Sequence, residues 1–203
     1  VSNRGASADE LECDLLEQLR GSPDLITRVV QSTESDLRLQ QELRKLYSPE
    51  LVRSAMTLRD TRDRAAAKFS KADSMWFDPI GLEQSTSEPV ARHKAHRFSG
   101  AVADWCCGVG MDSIALAAAG CAVDSIDLRN ANCLRTHWNA EAYNVADRIN
   151  TTVADVRTAK RNTKLVHIDP DRRSGRGKRL MRVEDCEPDL EFLLSMMPSF
   201  SGG

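Results

Sequence analysis

The residues best suited to chemistry in this chain lie in the run Asp104-Trp-Cys-Cys-Gly-Val-Gly-Met-Asp112. Apolar Ala101-Val-Ala103 leads into it and Ser113-Ile-Ala-Leu-Ala-Ala-Ala119 leads out, so it reads as strand, tight turn and helix. That arrangement brings backbone close to a nucleotide-like ligand. Gly108 and Gly110 permit conformations and close approach that a side chain would block. Asp104, at the end of the strand, can hold the turn in place or receive a ligand ammonium. Three further acids close later strands: Asp127, Asp155 and Asp169. Asp127 lies about twenty residues beyond the glycine turn, where an acid commonly accepts hydrogen bonds from ribose hydroxyls. Its alternative role is that of a helix-capping Asp before Leu128-Arg-Asn-Ala131. Asp155 can accept from an adenine amino group or cap a turn.

The elements that must position these acids follow from periodicity. Strands are expected near 101–104, 122–127, 150–154 and 165–169, with helices near 111–119, 130–143 and 187–197. Such alternation predicts a parallel sheet with helices on both faces, and its ligand sites lie at the carboxyl ends of the strands. Before residue 70 the pattern is helical. Leu11, Leu15, Leu16 and Leu19 form one predicted face; Leu25, Ile26, Val29 and Val30 follow a start at Ser22-Pro23; Leu39, Leu43 and Leu46 form a third. Ser48-Pro49-Glu50 starts another helix through Leu51, Val52, Ala55 and Met56. Residues 71–100 read as a connector, with a turn at Pro79-Ile-Gly81 and a helix capped by Ser87. The predicted division is therefore 1–70 helical, 71–100 connector and 101–203 sheet domain.

With 28 basic and 30 acidic residues among 203, the chain is not a general polyanion binder. Its charge is uneven, however: Arg157 to Arg182 is strongly basic, as a phosphate-bearing substrate would require. The six cysteines show no zinc-type spacing and read as buried thiols of a reducing compartment. No apolar run approaches membrane-spanning length, so a soluble, cytoplasmic protein without membrane partners is expected. The four histidines are too scattered for a metal site, and His167, inside the fourth strand, is expected to be packed.

Taken as a set, Asp104-x-Cys-Cys-Gly-x-Gly-x-Asp112, Ile126-Asp127-Leu128, Asn139-Ala140, Ala154-Asp155-Val156 and Ile168-Asp169-Pro170 resemble the successive motifs of class I S-adenosylmethionine-dependent methyltransferases. The resemblance spans roughly residues 98–197. It implies an α/β fold in which a helical N-terminal region precedes a partial Rossmann-like sheet, ending after the fourth strand and its helix. It also implies S-adenosyl-L-methionine as cofactor. Asp104, Cys106, Gly108 and Gly110 would surround the methionine part, Asp127 would bind the ribose, and Asp155 and Val156 would flank the adenine, with Asp112 and Leu128 also at the cofactor. Asp169, Pro170 and Asp171 would border the methyl-transfer position, with Asp169 orienting the nucleophile. The connector, with Phe77-Asp78, Gly81-Leu82 and Thr86-x-Glu88-x-Val90-Ala91, is similar to the segment ahead of the catalytic domain in trimethylguanosine-synthase-like RNA methyltransferases. Lys68 to Phe98 and Asp169-Pro-Asp-Arg-Arg173 look still more like their bacterial relatives with a THUMP-like domain. This would bring Phe77 and Thr86 to the cofactor; an aromatic plug between domains is the alternative for Trp76-Phe77.

One departure bears on the substrate. Amino-directed enzymes of this type carry Asp-Pro-Pro-aromatic, whereas this chain has Asp169-Pro170-Asp171-Arg172. An arginine plane can also stack on a base. Arg172, Arg173, Arg176, Lys178 and Arg179 suit phosphate contact, because guanidinium forks match phosphate geometry, or else form a solvated loop. RNA methylated on a base nitrogen is the expected substrate. A non-catalytic RNA- or cofactor-binding module with the same fold, and a nicotinamide or flavin oxidoreductase, are the alternatives. The oxidoreductase would favour a glycine where Cys106 stands and leaves Asp155 and Asp169-Pro170 unexplained. A complete domain of this class carries further strands, so cofactor binding without appreciable turnover is expected of these residues alone.

Overall fold

The computed structural model of the chain describes residues 7–160, 162–170, 186 and 188–200. It divides into two compact units, Val1–Gln84 and Ser85–Gly203.

The first unit contains α1 (Ala8–Arg20), α2 (Pro23–Gln31), α3 (Asp36–Leu43), α4 (Pro49–Ala65) and α5 (Pro79–Gln84). Ser7 and Glu10 form a reciprocal capping box at the start of α1, and the Ser48 hydroxyl accepts from Leu51 N–H at 3.3 Å at the start of α4. Ser22 behaves differently from expectation. Its hydroxyl donates to the Gln18 carbonyl at 2.8 Å, closing α1 rather than capping α2. Ser87 likewise makes no side-chain cap bond.

The buried face of α1 is Cys13, Leu16 and Leu19. Leu11 precedes Cys13 by two positions, about 200° around the helix, and is 59% exposed. Val30 is exposed too, and Leu46 lies past the end of α3, where it points to solvent. Helix α4 is the central helix, in contact with α1 and α2, and its Val52, Ala55 and Met56 are buried.

Residues 71–84 are tied to these helices. Arg62 Nε donates to the Met75 carbonyl at 2.8 Å, Lys68 Nζ to that of Leu82 at 2.8 Å, and Phe69 stacks on Phe77.

The second unit contains α6 (Glu88–Ala95), β1 (Ala101–Trp105), α7 (Met111–Ala118), β2 (Ala122–Asp127), α8 (Asn130–Ala142), β3 (Ile149–Val153), β4 (Leu165–Ile168) and α9 (Leu190–Met196). The four strands pair in parallel in the order β3-β2-β1-β4. The order reverses between β1 and β4, so the crevice of this sheet opens at the carboxyl ends of those two strands. The fold is thus α/β, a helical N-terminal region followed by a four-stranded parallel sheet.

Register places a row of polar side chains across one face of the sheet. Asp104 stands opposite Ser125 on β2 and His167 on β4. All three are buried, as is Ser113 on α7. Alternation sends their neighbours Ala103, Trp105 and Ile126 to the other face, where they pack with Val156 and Met196.

Candidate functional site

The turn after β1 is built from backbone strain and side-chain ties. Cys106 takes φ +63°, Gly108 +56° and Gly110 +86°. The left-handed conformation at cysteine costs about 1–3 kcal/mol, and the surrounding bonds hold it. Both Cys106 N–H (2.8 Å) and Cys107 N–H (3.2 Å) donate to the Ile126 carbonyl. Helix α8 pins the far side: Thr136 Oγ1 donates to the Gly108 carbonyl at 3.1 Å and Asn139 Nδ2 to that of Val109 at 2.8 Å.

Asp127, at the end of β2, closes the turn. Its Oδ2 accepts from Gly108 N–H at 3.0 Å, and its Oδ1 accepts from Arg129 N–H at 2.9 Å and Asn132 Nδ2 at 3.1 Å. Burial pushes its carboxyl above the usual carboxylate range, against these three donors. Each oxygen of a carboxylate has two acceptor directions, so Asp127 both orders the turn and retains acceptor capacity. Beside it Leu128 is 66% exposed. Over Gly108 a side-chain carbon would meet nothing within 4 Å. Open space over a glycine, next to a carboxylate and an exposed apolar side chain, fits the ribose and adenine end of a nucleoside cofactor.

Of the two roles open to Asp104, the structure shows the internal one. Its carboxylate is 2% exposed. Oδ2 accepts from the Ser113 hydroxyl, and Oδ1 lies 2.8 Å from His167 Nδ1. Both oxygens are engaged under the turn, which leaves neither facing a ligand ammonium. Asp112 is committed in the same way: Lys94 Nζ lies 2.7 Å from its Oδ1, and the Thr86 hydroxyl donates to its Oδ2 at 2.8 Å. Thr86 therefore meets the turn through Asp112.

Asp155 lies two residues beyond β3. Arg157 grips it with Nε at 3.0 Å and Nη2 at 2.7 Å, and Arg157 N–H adds a bond at 2.9 Å. These contacts hold its carboxyl below the usual range. Its neighbour Val156 is buried in the core cluster with Trp105 and Met196. Phe77 is buried in the Val1–Gln84 unit, its ring centroid 5.5 Å from that of Phe69.

At the crevice, Asp169 is exposed and Pro170 half-buried. Asp169 N–H donates to the Trp105 carbonyl at 3.4 Å, which ties the exit of β4 to that of β1. Asp171, Arg172, Arg173, Arg176, Lys178 and Arg179 lie outside the described residues.

Two residues were missed by sequence reasoning. His167 is buried, as expected, but it is an electrostatic partner of Asp104 rather than packing alone. Burial lowers its pKa, yet the Asp104 and Asp112 carboxylates outweigh burial and the opposing Lys94 charge, so it lies above the ordinary histidine value. Lys94, on α6, lies 3.3 Å from His167 Nε2. The legible signal was a histidine at the strand position that matches Asp104 in register. Among the thiols, Cys107 is pushed well above its ordinary pKa by its hydrogen bond with the free thiol of Cys133 and by burial, which leaves it a poor nucleophile.

A family model described as RNA cap guanine-N2 methyltransferase matches residues 99–172. Two uncharacterised S-adenosylmethionine-dependent methyltransferases of Mycobacterium tuberculosis, from strains CDC 1551 / Oshkosh and ATCC 25618 / H37Rv, are each 34% identical over 145 residues. That alignment covers 66% of this chain and 38% of each relative, so the chain spans well under half of the curated relatives it matches. The crystal structure of a protein from Porphyromonas gingivalis W83, assigned as a methyltransferase, superposes with TM-score 0.62 at 19% identity. It covers 94% of this chain and 48% of the other, and shows a shared fold. Over these residues the chain is similar to S-adenosylmethionine-dependent methyltransferases. These similarities favour a methyltransferase over the oxidoreductase alternative. No described helix is long and apolar enough to cross a membrane.

Proposed function

We propose that the chain is the cofactor-holding part of an enzyme that transfers a methyl group from S-adenosyl-L-methionine to a base nitrogen of RNA. The observation that carries the cofactor half is the Asp127–Gly108 bond beneath open space at the glycine turn. The cofactor, when bound, supplies a sulfonium methyl, already a strong donor. The protein's own task is then alignment rather than acid–base work. Gly108 lets backbone approach, Asp127 accepts hydrogen bonds from hydroxyls, and exposed Leu128 offers an apolar face. Arg157 and Asp155 form the rim next to β3. Asp169, held to the end of β1 through its own N–H, would orient the acceptor at the crevice.

The RNA half rests on the description of the matching family and on the basic run from Arg172 to Arg179. It extends to the trimethylguanosine-synthase-like group and its THUMP-bearing bacterial relatives through Thr86-x-Glu88 and Asp169-Pro170. A second reading, a module that binds RNA or cofactor without turnover, is favoured by Asp171-Arg172 in place of Pro-aromatic. Calorimetric titration with S-adenosylhomocysteine, with NAD as control, tests the cofactor. Tritiated methyl transfer to total RNA by the full-length protein separates the two readings: incorporation supports the enzyme, and tight S-adenosylhomocysteine binding without incorporation supports the module.

A further inference from the structure

Behind the glycine turn lies a polar chain, buried at Ser125, Ser113, Asp104 and His167 and half-buried at Lys94, Asp112 and Thr86, that the cofactor reading does not use. It runs from Ser125 Oγ to Ser113 Oγ (2.7 Å), on to Asp104 and from there to His167 Nδ1 (2.8 Å). From His167 Nε2 it continues to Lys94 Nζ (3.3 Å), then to Asp112 Oδ1 (2.7 Å) and Thr86 Oγ1 (2.8 Å from Asp112 Oδ2). Lys94 Nζ also donates to Thr86 Oγ1 at 3.1 Å. Its members come from β1, β2, β4, α7, α6 and the residue preceding Ser87, all within the Ser85–Gly203 unit. We infer that Lys94 and His167 are positioning residues of the cofactor turn: Lys94 fixes His167 as the donor that holds Asp104, and the pair locks the exits of β1 and β4 to the segment 86–95.

The inference rests on the cofactor reading above and on elementary hydrogen-bond chemistry. Two nitrogens 3.3 Å apart form a hydrogen bond only if one offers a lone pair. A lysine ammonium has none. Nε2 of His167 is therefore the acceptor, and the ring proton sits on Nδ1, where it donates to Asp104. Lys94 thus selects the tautomer.

The groups facing His167 are Asp104 from β1, Asp112 from α7 at 3.9 Å, Lys94 from α6, and the edge-on ring of Phe98 after α6. The two carboxylates favour an added proton on the ring, whereas Lys94 opposes it. Protonation would convert Nε2 from acceptor to donor and break its contact with Lys94. The position of His167 gives the contact its consequence. It lies two residues before Asp169, and its partner Asp104 lies two residues before Cys106. A slip in this pair would displace both walls of the crevice.

The test uses full-length protein with Lys94→Met, Lys94→Gln and Lys94→Arg. Two quantities are read: the titration of His167 by nitrogen NMR of the imidazole, and S-adenosylhomocysteine affinity by calorimetry. In Lys94→Met the His167 midpoint should move to higher pH than in the parent, and affinity should fall about tenfold or more, as for loss of a partner to a buried charge. Lys94→Arg should restore both. If Lys94→Met does not fold, Lys94→Gln removes the same charge while keeping a donor, and its His167 midpoint should still rise. A purely structural lysine would lower stability without moving that midpoint. An unmoved midpoint in the folded Met or Gln variant overturns the proposal, as does unchanged affinity in Lys94→Met. Absence of S-adenosylhomocysteine binding in the parent protein instead defeats the cofactor reading, and the His167 midpoint alone then decides the network.

Discussion

Thr136 is packed so closely against Gly110 that the position tolerates no other residue. A side-chain carbon at 110 would lie 2.7 Å from Thr136 Cγ2, 2.8 Å from Oγ1 and 2.9 Å from Cα. The first two contacts could be relieved by a rotamer change; the third is backbone and could not. Gly110 also takes φ +86°, and it is the residue from which α7 starts. Helix α8 is thereby docked onto the turn that α7 leaves.

Replacing Gly110 by alanine should therefore combine overpacking with backbone strain. A loss of about 2–4 kcal/mol is expected from the two effects together, read as a lower urea midpoint at unchanged slope. Thr136→Ala in the same chain should recover only part of it, because the clash with Cα persists. Full recovery would place the strain in the side chain alone.

Asp127→Ala should weaken S-adenosylmethionine binding by roughly 1–3 kcal/mol, the range for hydrogen bonds to a charged acceptor. Some of that loss will come through the turn, since the Gly108 N–H loses its acceptor. Asp127→Asn, which keeps one acceptor oxygen, should lose less. Equal affinity in all three proteins, measured by calorimetry, would remove Asp127 from the ribose.

The raised pKa of His167 has a signed consequence for stability. A histidine that binds its proton more tightly when folded contributes stability that is complete below its unfolded pKa, about 6.5. That contribution disappears as pH rises through the folded value. The stability difference between the parent protein and His167→Gln should thus be larger at mildly acidic than at mildly alkaline pH. Urea unfolding of both proteins on either side of neutrality measures it, and a difference independent of pH would count against the Asp104 and Asp112 carboxylates as the cause.

If Arg172, Arg173, Arg176, Lys178 and Arg179 meet phosphates, RNA affinity of the full-length protein should fall steeply with salt. Neutralising two of them should flatten the log–log dependence by roughly one to two units. Filter binding over a salt series measures the slope. A salt-insensitive interaction would favour the solvated-loop reading of this segment.

Much of the sheet was legible because parallel strands and their helices write short-range patterns. The glycine turn, the four strands and α7, α8 and α9 fall within a few residues of where periodicity places them. A turn residue is chosen by local backbone geometry, so Gly108 and Gly110 announce themselves. The acids at strand ends do so as well, because the carboxyl edge follows from handedness once strands and helices alternate.

What each acid does depends on which neighbours face it, and the chain alone leaves that open. Asp104 and Asp127 look alike in sequence, each an acid at the end of an apolar strand. Register with Ser125 and His167 buries the first, whereas Asp127 remains beside the open space over Gly108. Lys94 carried no signal, since its partners Asp112 and His167 lie 18 and 73 positions away and meet it only when α6 packs on α7. Leu11 and Leu46 failed for a related reason: hydrophobicity marks which residues can be buried, but the phase of a helix against its neighbour decides which are. The sequence by itself determined the order of elements and the edge where chemistry belongs, because both are local. Tertiary structure decided which charges are spent inside and which remain at the site, because burial and register are properties of several elements at once.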